Sequence, residues 1–85
     1  MPAIQIYTTQ LCGYCQRATR LLERKGVSFE EIRVDSDRER WGEMTQRSGR
    51  DTVPQLFIGD RHVGGFEDMV ELDIDGELDP LLGSD

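Results

Sequence analysis

Two apolar segments, Ala3–Tyr7 and Val27–Val34, are separated by one helix-length run, and that spacing limits the fold more than any other feature of the chain. Ala3 to Tyr7 alternates apolar and polar residues and passes into Thr8-Thr9, the pattern of a strand running into a loop. From Tyr14 onward Cys15, Ala18, Leu21 and Leu22 recur at helical spacing. Arg17, Arg20, Arg24 and Lys25 take the other face or the last turn, and Gly26 closes the helix. Val27, Phe29, Ile32 and Val34 are the apolar positions of a second strand. Strands joined by a helix lie parallel through a right-handed crossover.

The rest of the chain extends that unit. Asp35-Ser36-Asp37 supplies N-cap chemistry for a second helix through about Arg47, ended by Ser48-Gly49. Thr52-Val53-Pro54 leads into a short buried strand, Gln55–Ile58. Gly59-Asp60 is a tight turn, and Arg61–Val63 returns as the hairpin partner. Gly64-Gly65 precedes a third helix starting at Phe66 or Glu67, and Glu77–Leu82 forms one more helical turn. The order β-α-β-α-β-β-α predicts an α/β fold, a mixed four-stranded sheet flanked by three to four helices, which is a thioredoxin-like architecture. With 85 residues and neither repeat nor linker, residues 1–85 are read as a single domain.

Charge and hydropathy exclude several classes of function. The formal net charge is −7, and eight acids between Glu67 and Asp85 face no Lys or Arg in that segment. Such a surface repels nucleic acid, and no basic patch with interleaved aromatics counters it. The acidic segment reads as a solvated face, with steering of a basic protein as the alternative. No apolar run approaches the roughly 18–20 residues of a membrane span. Met1-Pro2-Ala3-Ile4-Gln5-Ile6 lacks the basic start and apolar run of a secretory signal, so a cytoplasmic location is expected.

Two cysteines are present, Cys12 and Cys15, in the run Cys12-Gly13-Tyr14-Cys15. A disulfide between them closes too short a loop to restrict the unfolded chain, so their value is chemical. Cys12 falls where a strand's loop turns into a helix, near unpaired backbone N–H groups and the positive end of the dipole. That setting favours the thiolate, which is the nucleophile. Cys15 lies about one turn inward, giving an exposed attacker and a protected resolver. Half a zinc site is the rival reading, but a structural zinc wants four ligands and His62 alone does not complete the set. Two core cysteines are the other rival, against which Gly13 and Tyr14 at the junction favour an exposed loop.

Two further segments add to the pair. Pro54 opens a strand in a chain that carries the cysteine motif, and a cis Val53–Pro54 bond is expected. It would turn the Val53 N–H and C=O outward as a one-residue sheet edge, to which an extended cysteine-containing peptide pairs. The alternative is an ordinary trans proline starting an edge strand. In Gly64-Gly65-Phe66-Glu67-Asp68, paired glycines permit close backbone approach. The N–H groups of Phe66 and Glu67 suit a carboxylate, and Asp68 suits an ammonium. Together they read as a receptor for a free α-amino acid end, with helix capping by Glu67 and Asp68 as the plainer alternative.

Tyr7 to Cys15, Ser48 to Ile58 and Gly64 to Asp68, in this order and spacing, resemble the glutaredoxin family over essentially the whole chain. Leu78-Asp79-Pro80-Leu81-Leu82 looks like the ending of its small bacterial dithiol members. The resemblance implies a glutathione-dependent disulfide oxidoreductase with glutathione as co-substrate and glutathionylated or disulfide-containing proteins as partners. Cys12 would take the glutathione and Cys15 would displace it in the dithiol route. Tyr14 would flank the sulfur, Thr52, Val53 and Pro54 would hold the cysteinyl backbone, and Gly65, Phe66, Glu67 and Asp68 would hold the γ-glutamyl end.

The sequence departs from the family pattern twice. Gly13 replaces the usual proline between the cysteines, as in members that bind a [2Fe-2S] cluster at a dimer interface through the first cysteine of each chain. A cluster-bridged homodimer held by Cys12 is therefore the second expectation beside a monomeric enzyme. Thr9 stands where many members carry a lysine, leaving Arg38, Arg40 or Arg47 of the second helix as compensating charges. His62 reads as an exposed strand residue, Trp41 as partial core, and Met44 and Met69 as packing.

Overall fold

A computed structural model describes residues 3–83; the expectations for Met1, Pro2 and Asp85 lie outside them. The elements are β1 (Ile4–Thr8), α1 (Gly13–Arg24), β2 (Glu30–Arg33), α2 (Arg38–Ser48), β3 (Gln55–Ile58), β4 (Arg61–Gly64), α3 (Phe66–Ile74) and α4 (Leu78–Leu82). The sheet order is β2-β1-β3-β4, with β1 parallel to β2 and the other pairs antiparallel. This is the expected thioredoxin-like arrangement.

Strand alternation sends the two sheet faces into separate cores. Ile4, Ile6, Leu56 and Ile58 point to one face and pack with Ala18, Leu21 and Leu22 of α1, Met69 of α3, and Leu78 and Leu82 of α4. Tyr7 and Phe57 point to the other and pack with Ile32, Val34 and Met44, with Trp41 and Val53 partly buried against them. Met44 and Met69 are fully buried, and Trp41 is partly so, as expected. A five-residue helix does not persist alone. Burial of Leu78 and Leu82, on the order of 2 kcal/mol each, holds α4 in place. Lys25, after the end of α1, adds ion pairs to Asp73 at 2.5 Å and Asp79 at 2.9 Å. The acidic C-terminal segment is thus partly engaged rather than wholly a solvated face.

Two expectations, on the second strand and on His62, need correction, and the α2 cap expected from Asp35-Ser36-Asp37 is narrowed to one residue. The second strand is Glu30–Arg33, not Val27–Val34. Its only neighbour, β1, begins at Ile4 and pairs Gln5 with Glu30, so the ladder runs out ahead of Glu30. Val27 and Phe29 instead pack as loop residues against the first core. The α2 cap is Asp37, which accepts from the N–H groups of Glu39 and Arg40. Asp35 works elsewhere: it pairs with Arg33 and accepts from the Gln10 N–H, tying the β1–α1 loop to the end of β2. His62 is half-buried rather than exposed, stacked on Phe57 with ring centroids 4.9 Å apart.

The β3–β4 hairpin carries an irregularity absent from the sequence reading. Phe57 pairs with His62 but Leu56 pairs with Gly64, so β4 holds one extra residue, Val63. Gly64 follows the bulge at φ 119°, where L side chains are strained, and a Cβ there would run into the Asp68 carboxylate. Gly64→Ala is therefore expected to destabilise the fold by about 1–3 kcal/mol, read as a lower urea midpoint. An unchanged midpoint would contradict this account of the turn.

Candidate functional site

The first turn of α1 begins at Cys12, which is extended (φ −127°, ψ 111°) and has no hydroxyl or carboxylate with which to cap the helix. Its sulfur does so instead: Cys12 Sγ accepts from the Cys15 N–H at 3.2 Å. One residue thus starts the helix and presents its sulfur at the terminus, beside backbone N–H groups that have no intrahelical partner. Cys12 is half-buried, whereas Cys15 is only 2% exposed and packs on the helix's core side. Burial, and after it the neighbouring Cys12 sulfur, push the Cys15 thiol up to about 12. Cys15 therefore carries its proton throughout the neutral range. Both cysteines are free thiols.

Beside this helix end lies a hollow of about 260 Å³. Tyr14 and Phe66 form its aromatic side, with ring centroids 6.3 Å apart. Thr52, Val53 and Pro54 form a second wall, and Gly65, Glu67 and Asp68 a third. The Val53–Pro54 bond is cis, as expected, and among the described residues the Val53 backbone makes no hydrogen bond. A Cβ on Gly65 would lie 3.4 Å from the Pro54 carbonyl oxygen, so the second and third walls come together at Gly65. The residues singled out in the sequence on the three segments Cys12–Cys15, Thr52–Pro54 and Gly65–Asp68 are brought to one end of the sheet.

Asp68 organises the third wall. Its Oδ2 accepts from the Gly65 N–H at 2.8 Å and pairs with Arg50 at 3.0 Å. Burial opposes its ionisation, but the Gly65 N–H and the Arg50 guanidinium outweigh that and hold the carboxyl below its usual range. The capping alternative thus holds for Asp68, which also lines the hollow.

Two lining residues were missed in the sequence. Arg50 fronts the hollow, whereas Arg40 pairs with Glu43, and Arg47 lies 4.0 Å over the Phe57 ring and donates to the Tyr7 hydroxyl. Arg38, Arg40 and Arg47 are not among the lining residues, so the cationic group of this site comes from the segment after α2. The stop at Ser48-Gly49, with only Arg50 and Asp51 between it and Thr52, was the available signal. Gln55 is the second. Its amide is 1% exposed and donates to the Thr52 carbonyl at 3.1 Å and hydroxyl at 3.3 Å, while its oxygen accepts from His62 Nε2 at 2.6 Å. His62 therefore supports the second wall through Gln55.

Comparison with known proteins agrees with this geometry. Residues 4–63 match the family model for glutaredoxin. Glutaredoxin 3 of Escherichia coli K12 is 51% identical over 82 residues, covering 96% of this chain and 99% of that protein. A solution structure of glutaredoxin from Brucella melitensis superposes with a TM-score of 0.87 at 49% identity, covering 99% of this chain and 91% of that one. A crystal structure of a buckwheat glutaredoxin–glutathione complex gives a TM-score of 0.88 at 30% identity, covering 96% of this chain and 77% of that one.

The contrast between the two thiols has a direct readout. At neutral pH, one equivalent of iodoacetamide on the reduced protein is expected to alkylate Cys12 and spare Cys15, as read by peptide mass mapping. Equal labelling of the two would contradict the burial and protonation assigned to Cys15.

Proposed function

This chain belongs to the glutaredoxin family of thiol–disulfide oxidoreductases, and from that premise we propose that it is a glutathione-dependent enzyme, working as one domain in the cytoplasm on glutathionylated and disulfide-containing proteins. The observation that carries this reading is a cysteine sulfur capping a helix beside a hollow with one open peptide edge and the Asp68 carboxylate.

The geometry supports the following sequence. The Cys12 thiolate attacks the glutathione sulfur of a protein–glutathione mixed disulfide, forming a Cys12–glutathione disulfide and releasing the protein as its thiolate, which takes a proton from water. Thr52, Val53 and Pro54 supply the edge along which the glutathione cysteinyl backbone lies. Gly65, Phe66 and Glu67 receive the γ-glutamyl carboxylate at the start of α3, and Asp68 its ammonium. Tyr14 flanks the sulfur. A second glutathione, as thiolate, attacks the bound glutathione sulfur, leaving oxidised glutathione and regenerating Cys12.

Protein disulfides require the second cysteine. Cys12 attacks one sulfur, and Cys15 then attacks Cys12, forming a Cys12–Cys15 disulfide as the substrate's second thiol departs. Cys15 enters that step as a neutral thiol, so its proton passes to the departing thiolate. Two glutathiones reduce the internal disulfide. A [2Fe-2S] cluster is the second reading. Among the described residues no group of three or more His, Cys, Asp or Glu residues is placed to hold a metal. Cys12 alone would ligate, so a cluster would need a second copy of the chain and free glutathione thiols.

Turnover of a glutathionylated peptide, with glutathione as sole reductant, separates the roles. Cys12→Ser is expected to lose essentially all activity. Cys15→Ser should retain it on this substrate but lose reduction of protein disulfides, and Asp68→Asn should raise the KM for glutathione several-fold. Equal loss from both cysteine changes would sink the attacker–resolver assignment.

A further inference from the structure

A second hollow, larger than the one described above, is not lined by the cysteines. A groove of about 570 Å³ runs along the outer face of α1, lined by Arg17, Arg20, Glu23, Arg24 and Phe66. It has more than twice the volume of the 260 Å³ hollow assigned above to glutathione, and nothing in the exchange chemistry uses Arg20 or Arg24. We propose that this groove is a docking surface for acidic segments of protein substrates, with the acids lying two to five residues from the reactive cysteine. The proposal rests on the reading above that the chain exchanges with protein thiols.

Three observations support it. The first is charge. Three guanidiniums face one carboxylate in a chain whose formal net charge is −7, so the groove is a local reversal of the molecule's sign. Residues 17, 20 and 24 are spaced to share one helix face. Secondly, the three arginines make no ion pair among the described residues, whereas Lys25, Arg33, Arg40 and Arg50 do. Arg17 has only its 5.5 Å contact over the Tyr14 ring. Unpaired, exposed guanidiniums in a row leave their charge available to a partner carboxylate.

The third observation is continuity. Phe66 lines both the groove and the glutathione hollow, and Arg17 shares a smaller depression with Gly13 and Tyr14, next to the cysteines. A peptide whose cysteine reaches Cys12 can therefore continue onto α1 without leaving the surface. With a rise of about 1.5 Å per helical residue, Arg17 and Arg24 lie roughly 6 Å and 16 Å beyond Gly13. An extended peptide covers those spans in about two and five residues. A nucleic acid fits less well, because its phosphates would continue past the groove onto an acidic surface.

The test separates docking from catalysis. A peptide with Glu at positions two to five from its cysteine, and the cysteine itself replaced by Ser, binds without reacting. Titrated into the wild-type protein, it is expected to shift amide resonances of residues 17–24 and Phe66. Arg20→Glu/Arg24→Glu should weaken it about five- to tenfold, and raising salt to about 0.5 M should do the same to wild type. Arg20→Gln/Arg24→Gln serves as a gentler variant should charge reversal disturb folding. In turnover, the wild-type preference for the Glu-flanked over a Gln-flanked glutathionylated peptide should vanish in the double variant, with reduction of the glutathione–cysteine mixed disulfide unchanged.

Equal peptide affinity for wild type and variant, shifts confined to other elements, or tighter binding of a single-stranded oligonucleotide at the same salt would overturn the proposal. A protein inactive even on the glutathione–cysteine mixed disulfide would count against the proposed enzyme activity, while the unreactive peptide would still decide the groove.

Discussion

The start of α1 is capped by a sulfur, and the candidate site follows from that one substitution of sulfur for oxygen. An N-cap residue must have an extended backbone and a side chain that accepts from an N–H two or three residues on. Cys12 meets both demands, accepting from the Cys15 N–H. The cap holds its sulfur among helix-terminal donors. The same helical spacing places residue 15 on the face that also buries Ala18, Leu21 and Leu22. An accessible thiol and a protonated, nearly inaccessible one are therefore two consequences of a single helix start. The loop leading into it is fastened independently, by Asp35 on the Gln10 N–H and by the buried Thr8 hydroxyl donating to Glu31 at 2.7 Å.

A second constraint acts through Asp68. The carboxylate caps α3, pairs with Arg50 and occupies the space a Gly64 side chain would need. It links the hairpin, the segment after α2 and the third helix. The Gln55 amide performs the corresponding task for Thr52, under His62 and Phe57. The walls of the hollow are thus set by polar groups with fixed partners: Asp68 is partly exposed, whereas Gln55 is buried, so that removing its partner would strand its amide. The charge of the chain is similarly partitioned. Acids of α3 and α4 are drawn to Lys25, while the outward arginines of α1 are left to solvent or to a partner.

The order of elements was legible because hydrophobic period and turn residues agree along most of the chain. The run of α1 was plain from Cys15, Ala18, Leu21 and Leu22, and the hairpin from Gly59-Asp60. The three segments of the candidate site were legible as well, since Cys12, Pro54 and the Gly64-Gly65 pair are residue types with few other uses in that order. The length of β2 was not, because it depends on where β1 begins to offer partners and not on the apolar pattern of Val27 and Phe29. The bulge at Val63 was equally hidden, being a property of the pairing with Leu56 and Phe57. Arg50 and Gln55 escaped because their roles are made by tertiary contacts to Asp68 and Thr52. His62 reads as exposed from the sequence because the Phe57 ring and the Gln55 amide meet it only in the fold.

The most direct test of the account is whether the capping sulfur is the group that takes up glutathione. Cys15→Ser protein, incubated with oxidised glutathione and examined by intact mass and peptide mapping, is expected to gain one glutathione, attached at Cys12 and released by a reductant. A protein that gains none while remaining folded, or that carries the adduct at any other residue, would contradict the assignment of Cys12 as the nucleophile.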